Sequence, residues 1–281
     1  MMSVFHKAVV CSLMAWPAVA SWSAVDQAQA FEKITIRPAR SADQRNMRLQ
    51  VLPNGDLIAN ATSLLMLLSY AYDVPANPSP RLSSLPDWTR GERYDIQAKA
   101  PANTISASSP DSETQSQMKQ MIRQLLADRF GLVMRVEKKR MAIYALTVSS
   151  TAPQVQRSAI TVRECILDSA PEGCHNFDIG FGHPLNAKAI SMDDLAHYIE
   201  NWTDLPVVNR TELSGLYTVH TGGWLPMRLP PPPPNAAPDT NSFAGLPSIF
   251  TVLGSLGLEL HRQEAILPVY TVERVERPSA N

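Results

Sequence analysis

The sequence predicts an α+β fold made of two similar helix-on-sheet units. Three observations predict it. Short alternating stretches read as strands, and amphipathic or apolar stretches between them read as helices. The order of elements in residues 31–150 returns in residues 191–275, as an internal duplication would leave it. A helix stripe has to bury itself against a sheet face, which gives a two-layer unit. A chain of 281 residues accommodates two such units of about 100–120 residues each.

The first unit starts with residues 31–37 (FEKITIR), an alternating strand stopped by Pro38. Residues 47–52 and 57–59 form a hairpin around Pro53-Asn54-Gly55-Asp56. Asn60 or Thr62 then caps a helix over residues 64–72 (LLMLLSYAY), apolar almost all round and therefore buried on most sides. Residues 75–88 are a Pro/Ser loop, residues 93–99 (RYDIQAK) a strand and residues 101–110 a linker. Asp111 or Ser112 opens a long helix to Phe130. Met118, Met121, Ile122, Leu125, Leu126 and Phe130 fall on one face of it, and Gly131 ends it. Residues 132–136 and 141–148, separated by a charged turn (EKKR), are expected to pair as strands.

Residues 151–190 read as an irregular connector holding a cysteine pair. The second unit, residues 191–275, opens on a helix capped by Ser191, with Asp194 completing a capping box and Leu195, Ile199 and Trp202 as its inner stripe. Strands are expected at 205–208 and 216–220. A Pro-rich insert at 225–247 contains the polyproline run 230–234, a stiff spacer. Ser248 caps a short helix ended by Gly257, and residues 258–262 and 266–275 make a last strand pair. Residues 276–281 are a polar tail. The repeat also has residue-level support. Gly131 precedes Tyr144 by 13 residues and Gly257 precedes Tyr270 by the same 13, while RYDIQA at 93–98 matches LYTVHT at 216–221.

Composition excludes some function classes. Hydrophobic residues are 44% of the chain, too many for a disordered protein. The net charge is −1 with no basic cluster, which argues against nucleic acid as a partner. With 23 prolines and 12 glycines, the loops are expected to be stiff.

Residues 1–20 read as a secretory signal. Lys7 is followed by 13 residues (AVVCSLMAWPAVA) that are apolar and end in a small-x-small cleavage pattern. That stretch is too short to span a bilayer as a helix. Cleavage is expected near Ala20, with Ala30 as the second choice, and Cys11 leaves with the signal. The mature chain is then expected in the periplasm or outside the cell, with no membrane span. There Cys165 and Cys174 read as a disulfide. Closing a loop of that size stabilises by roughly 2–3 kcal/mol. A redox pair usually shows C-x-x-C, and zinc needs two more close ligands.

The search for chemistry yields weak signals. Ser116 and Lys119 have S-x-x-K spacing without the companion motifs of penicillin-binding enzymes, and read as a solvated helix face. Asp193, Asp194, His197 and Glu200 share helical spacing, and His197 with Glu200 could hold a metal, but an ordinary exposed face explains them as well. His175, His183, His220 and His261 are scattered. Gly180-Phe181-Gly182 is an isolated turn without nucleotide-loop context. Trp88, Trp202 and Trp224 sit beside turns, where core or rim packing is the simpler reading. No catalytic, cofactor-binding or metal-ligating set is assigned, and no cofactor is expected.

Several pieces together resemble a known family: FEKITIRP at 31–38, YDV at 72–74, RYDIQAK at 93–99, LLADRFGL at 125–132, PSIF at 247–250 and VERVERPSAN at 272–281. They are similar to an uncharacterised family of secreted proteins found in large paralogous sets in soil bacteria. The resemblance implies no catalytic residues. Some relatives are attached to BlaR/MecR-type membrane metallopeptidases, which implies extracytoplasmic sensing. This chain lacks their H-E-x-x-H motif. A looser likeness is to the short N-terminal domains of secretins and TonB-dependent transporters, which bind protein or peptide partners.

These readings converge on an exported, non-enzymatic module that binds a protein, a peptide or a small envelope ligand. Two alternatives stand beside it: a hydrolase of unfamiliar type using His197 with nearby carboxylates, and a structural envelope component.

Overall fold

The computed structural model describes residues 30–40, 48–52, 54–102, 104, 111–149, 153–165, 173–178, 180–228, 243 and 245–278. The expected signal segment with Cys11, the polyproline run 230–234 and most of the linker 101–110 lie outside the described residues.

The first half runs β1 (Lys33–Pro38), β2 (Arg48–Val51), β3 (Leu57–Thr62), α1 (Leu64–Tyr72), β4 (Leu82–Ser83), α2 (Trp88–Gly91), β5 (Tyr94–Lys99), α3 (Asp111–Phe130) and β6 (Val133–Val148). The second runs β7 (Gln156–Arg157), α4 (Val162–Cys165), β8 (Ala187–Ile190), α5 (Met192–Glu200), β9 (Val207–Asn209), β10 (Tyr217–Val219), α6 (Ile249–Ser255) and β11 (Leu258–Arg274). Among the described residues this is an α+β fold with three sheets, ordered β1-β5-β3-β2, β7-β10-β8 and β4-β11-β6-β9.

The sequence of elements β1, β3, α1, β4, β5, α3, β6 is met again as β7, β8, α5, β9, β10, α6, β11, and sheet neighbours correspond. Thus β1-β5-β3 matches β7-β10-β8, and the parallel pair β4·β11 matches β9·β6. Both α1 and α5 have nine residues and a serine N-cap, Ser63 and Ser191. Extra to this scheme are β2, α2 and α4.

Periodicity located α1, α3, α5 and α6, while the four-residue helices α2 and α4 were not expected. The α3 stripe Met118, Met121, Ile122, Leu125, Leu126 and Phe130 is fully buried. The α5 capping box forms as expected, with the Ser191 hydroxyl accepting from Asp194 N–H and the Asp194 carboxylate accepting from Ser191 N–H. The α1 cap is a correction. It is Ser63, not Asn60 or Thr62, because Thr62 is still in β3 and donates its hydroxyl to the Asn60 carbonyl. The stretch expected as an irregular connector contains β7, α4 and β8, which supply two strands of the three-stranded sheet.

The largest correction concerns the two expected strand pairs. Residues 137–140 do not turn, and neither do residues 263–265. Each lies inside one uninterrupted strand, and β6 and β11 pair antiparallel along their whole length, from Leu258↔Val148 to Arg274↔Val133. The physical reason is turn chemistry. A tight hairpin needs Gly, Asn or Asp at positive φ, and neither Glu137-Lys138-Lys139-Arg140 nor Gln263-Glu264-Ala265 supplies one.

The ribbon joins two hydrophobic cores. One contains residues of β1, β3, α1, β5 and α3, with Leu132, Tyr270 and Val272. The other contains residues of β8, α5, β9, β10 and α6, with Leu146, Leu258 and Leu260. So β6 leaves the first core and ends in the second, while β11 does the reverse. Even-numbered positions do the packing at both ends: Met134, Tyr270 and Val272 in one core, Tyr144, Leu146, Val148, Leu258 and Leu260 in the other. A side-chain period of two makes this possible, since a strand keeps the same alternation over its length.

Candidate functional site

The acidic and histidine side chains of α5 do not converge. Asp193 accepts from Asn209 Nδ2 at 2.9 Å. Asp194 lies 2.7 Å from His175 Nδ1. Burial alone would raise the Asp194 carboxyl, but the His175 contact and the Ser191 hydrogen bonds outweigh it and hold it below the usual range. His197 is half-buried, and desolvation pushes its pKa down. Glu200, expected on an exposed face, is only 2% exposed. Its carboxylate takes Arg81 Nη1 at 3.0 and 3.2 Å. No cluster of three or more potential metal ligands forms among the described residues. The hydrolase reading built on His197 finds no support in this arrangement. The S-x-x-K pair is also split: Ser116 is exposed and Lys119 pairs with Asp73 at 2.6 Å.

Glu200 belongs instead to a polar junction between the cores. Asn77 Nδ2 donates to the Asn201 carbonyl at 2.6 Å, and Ala76 N–H donates to Asn201 Oδ1 at 2.9 Å. Arg228 donates to the carbonyls of Glu200 and Pro78. Carbonyls at the C-terminal end of α5 thus meet an arginine and an asparagine, the donors that complement that end of a helix. Desolvation raises the Glu200 pKa, opposed by the Arg81 charge and hydrogen bonds.

The disulfide Cys165–Cys174 is formed, with Cα atoms 5.6 Å apart. It ties α4 to the segment 173–178, where His175 has φ +52° and its N–H donates to the Ala189 carbonyl at 2.8 Å.

Where the two halves differ most, aromatic side chains collect. The stretch between β7 and β8 and the stretch between β10 and α6 meet each other, with Trp224 N–H donating to the Gly182 carbonyl at 2.8 Å. The contact is close enough to require glycine. A Cβ on Gly223 would lie 2.5 Å from the Phe181 carbonyl, and one on Gly182 would lie 2.5 Å from Leu246. Gly182 and His183 both have positive φ, +70° and +53°. His183 stacks on Trp202 with centroids 3.6 Å apart, and desolvation lowers its pKa. Phe177 stacks on Tyr198 at 4.0 Å, and Phe181 on Phe243 at 5.3 Å. Phe250 meets Tyr144 edge-on at 5.7 Å, and Leu225 N–H donates to the Pro247 carbonyl next to the Ser248 cap.

The result is an apolar surface on a braced frame. Phe181 is 61% exposed, Leu225 47% and Phe250 43%. Below them Trp224 is fully buried, and its indole N–H has no partner among the described residues. Sequence reading passed over Phe181 as the middle of a lone turn. The available signal was a large apolar residue between two glycines and before His-Pro, which is poor core material and good loop-tip material.

The family model described as "Protein of unknown function (DUF3738)" matches residues 65–275. The chain belongs to the DUF3738 family. The match runs from α1 to the end of β11, so it covers the β6·β11 ribbon, both helices that precede its strands and the aromatic surface. No curated protein and no solved structure matches this DUF3738 chain. Among its described residues, no helix is long and apolar enough to cross a membrane.

Proposed function

We propose that this DUF3738 chain works, after export, as a non-enzymatic binding module of the cell envelope, and that the aromatic surface of its second core is where a protein or peptide ligand docks. One observation carries the reading: rings exposed on a frame whose backbone only glycine and a left-handed histidine satisfy. Exposed aromatics cost solubility and left-handed residues cost stability, and such features concentrate where a surface has a task. Aromatic anchors in loops held by a rigid scaffold are the usual carriers of binding energy.

The two halves fit a duplication of one helix-on-sheet unit, with one copy running from β1 to β6 and the other from β7 to β11, so that the second copy begins before the residue 191 expected from the sequence. On that view the shared elements are scaffold and the differing loops carry specificity. The disulfide suits an oxidising compartment and supports a periplasmic or extracellular location, consistent with a signal cleaved near Ala20. The resemblance to modules joined to BlaR/MecR-type metallopeptidases supports a sensing role.

The test is direct titration of the mature, disulfide-bonded chain against separated envelope protein fractions. Saturable binding is expected, and Phe181→Ser with Phe250→Ser should weaken it at least about tenfold while the circular dichroism spectrum stays unchanged. Binding that is indifferent to both substitutions overturns the assignment of the surface.

A further inference from the structure

The two faces of the β6·β11 ribbon treat their charges differently. Side chains alternate from face to face along each strand, and directly opposed residues share a face. The register pairs odd with odd and even with even positions. On the odd-numbered face the charges are matched. Glu137 holds Arg135 at 2.6 Å and Lys139 at 3.0 Å, Glu273 lies 3.3 Å from Arg135, and Glu259 lies 2.9 Å from His261. On the even-numbered face they are not. Lys138 and Arg262 are exposed and have no ion-pair partner among the described residues, while Arg140 has Glu264 at 3.5 Å. The next carboxylate, Asp204, is engaged by the Tyr144 hydroxyl.

The same even-numbered face exposes apolar side chains among these cations. Ile266, opposite Arg140, is 60% exposed and Val136 is 55% exposed, with half-buried Pro268 in the row between them. The face also runs into the aromatic surface. Tyr144, opposite Arg262, is the ring that meets Phe250 edge-on. From Tyr144 to Val136 the strand covers about 27 Å, at about 3.4 Å per residue.

We propose that the ligand of the aromatic surface continues along this face, and that it is an acidic peptide segment of another protein with apolar side chains set among its carboxylates. The inference rests on the reading of the aromatic surface as a ligand site, and adds the charge of the ligand and its path. Carboxylates of the peptide meet Arg262, Arg140 and Lys138, and its apolar side chains cover Ile266 and Val136. Cations around an apolar contact steer the encounter and select the partner by complementary charge. The peptide lies on the face and not along the edge, since charged side chains discourage strand pairing at the edges of the ribbon. An anionic bilayer suits the face less well. Protein surfaces that read such lipids gather about four to eight Lys and Arg, whereas here Glu264 sits among Lys138, Arg140 and Arg262.

The experiment pans the mature, disulfide-bonded chain against a random dodecapeptide library displayed on phage and measures a synthetic copy of a selected peptide by titration calorimetry. Selected peptides should carry more Asp and Glu than the library, with apolar residues among them. Raising NaCl from about 50 to about 500 mM should weaken binding several-fold. Lys138→Glu and Arg262→Glu should each weaken it about tenfold, while Arg90→Glu on α2 should leave it unchanged. All three positions are exposed, so the circular dichroism spectra should match that of the parent. Binding that falls with Phe181→Ser and Phe250→Ser but ignores salt and the charge reversals would overturn this inference and keep the aromatic site. Binding that falls with the charge reversals but ignores both phenylalanines would remove the aromatic reading and, with it, the continuous ligand. Neutral or basic peptides, or no selected peptide, would also overturn the proposal. So would attachment to phosphatidylglycerol vesicles, or a concentration-dependent dimer, that is lost with Lys138→Glu or Arg262→Glu, because the face would then belong to a bilayer or to a second copy of the chain.

Discussion

At the residue scale, the junction of the cores turns on Arg81 and Glu200. Both are buried, and Arg81 Nη1 donates to both carboxylate oxygens of Glu200, while Arg81 Nε has no partner among the described residues. Removing one partner of such a pair is costlier than the pair is worth, because the survivor is left charged and dry. Arg81→Ala should therefore destabilise by about 3–5 kcal/mol in urea unfolding near neutral pH. Glu200→Gln keeps an acceptor for Arg81 and removes a desolvated charge, so it should be near neutral or stabilising. Because the carboxyl of Glu200 is raised above 4.5, the folded state holds its proton more tightly than the unfolded chain. The contribution of this residue is full below 4.5 and is lost as pH rises through the raised value. The advantage of Glu200→Gln over the parent should grow across that window, and urea midpoints that stay parallel there would contradict it. His197 and His183 act with the opposite sense. Both are pushed below 6.5 by burial, so the unfolded chain binds protons first and stability falls as pH drops below 6.5. His197→Gln should flatten that part of the pH–stability curve.

At the element scale, caps and terminators were largely legible and the long strands were not. Ser191 and Ser248 follow from their spacing to the apolar run, and each accepts a backbone N–H at the start of its helix. Ser191→Ala should cost about 1 kcal/mol in thermal or urea unfolding. Gly131 has φ +57° and room for a Cβ, with Glu276 side-chain atoms 3.7 Å away. Gly131→Ala should thus carry only the left-handed penalty, about 1–2 kcal/mol. Gly182→Ala adds a clash with Leu246 to the same kind of penalty and should cost more than Gly131→Ala in the same assay. Equal losses would mean that the two loops separate easily. The ribbon escaped the sequence reading because charged residues at 137–140 resemble a turn by polarity alone. Their side chains belong on an exposed strand edge, where charge also discourages pairing with other chains.

At the scale of the whole molecule, two cores share one ribbon and one buried junction. Neither half of the chain completes its own core, since Tyr270 and Val272 pack in the first and Leu146 in the second. Unfolding should therefore be a single transition, with far-ultraviolet circular dichroism and tryptophan fluorescence coinciding in urea. Two separated transitions would show that the cores stand alone. Reduction of Cys165–Cys174, or its replacement by Cys165→Ser with Cys174→Ser, should shift that transition by about 2–3 kcal/mol.

Local pattern alone determined the fold class, helices α1, α3, α5 and α6, the serine caps of α5 and α6, the terminating glycines and the disulfide. These are properties of neighbours in the chain: a stripe of period 3.6, a hydroxyl before the first turn, a residue able to adopt positive φ, and two cysteines nine positions apart. Tertiary structure decided which strands are continuous, that Glu200 turns inward to Arg81, and that Phe181 stands on Phe243 at the surface. Each of these depends on residues far apart in sequence. Strand pairing, ion-pair burial and ring stacking are energies of contact across space, and no spacing along the chain encodes them.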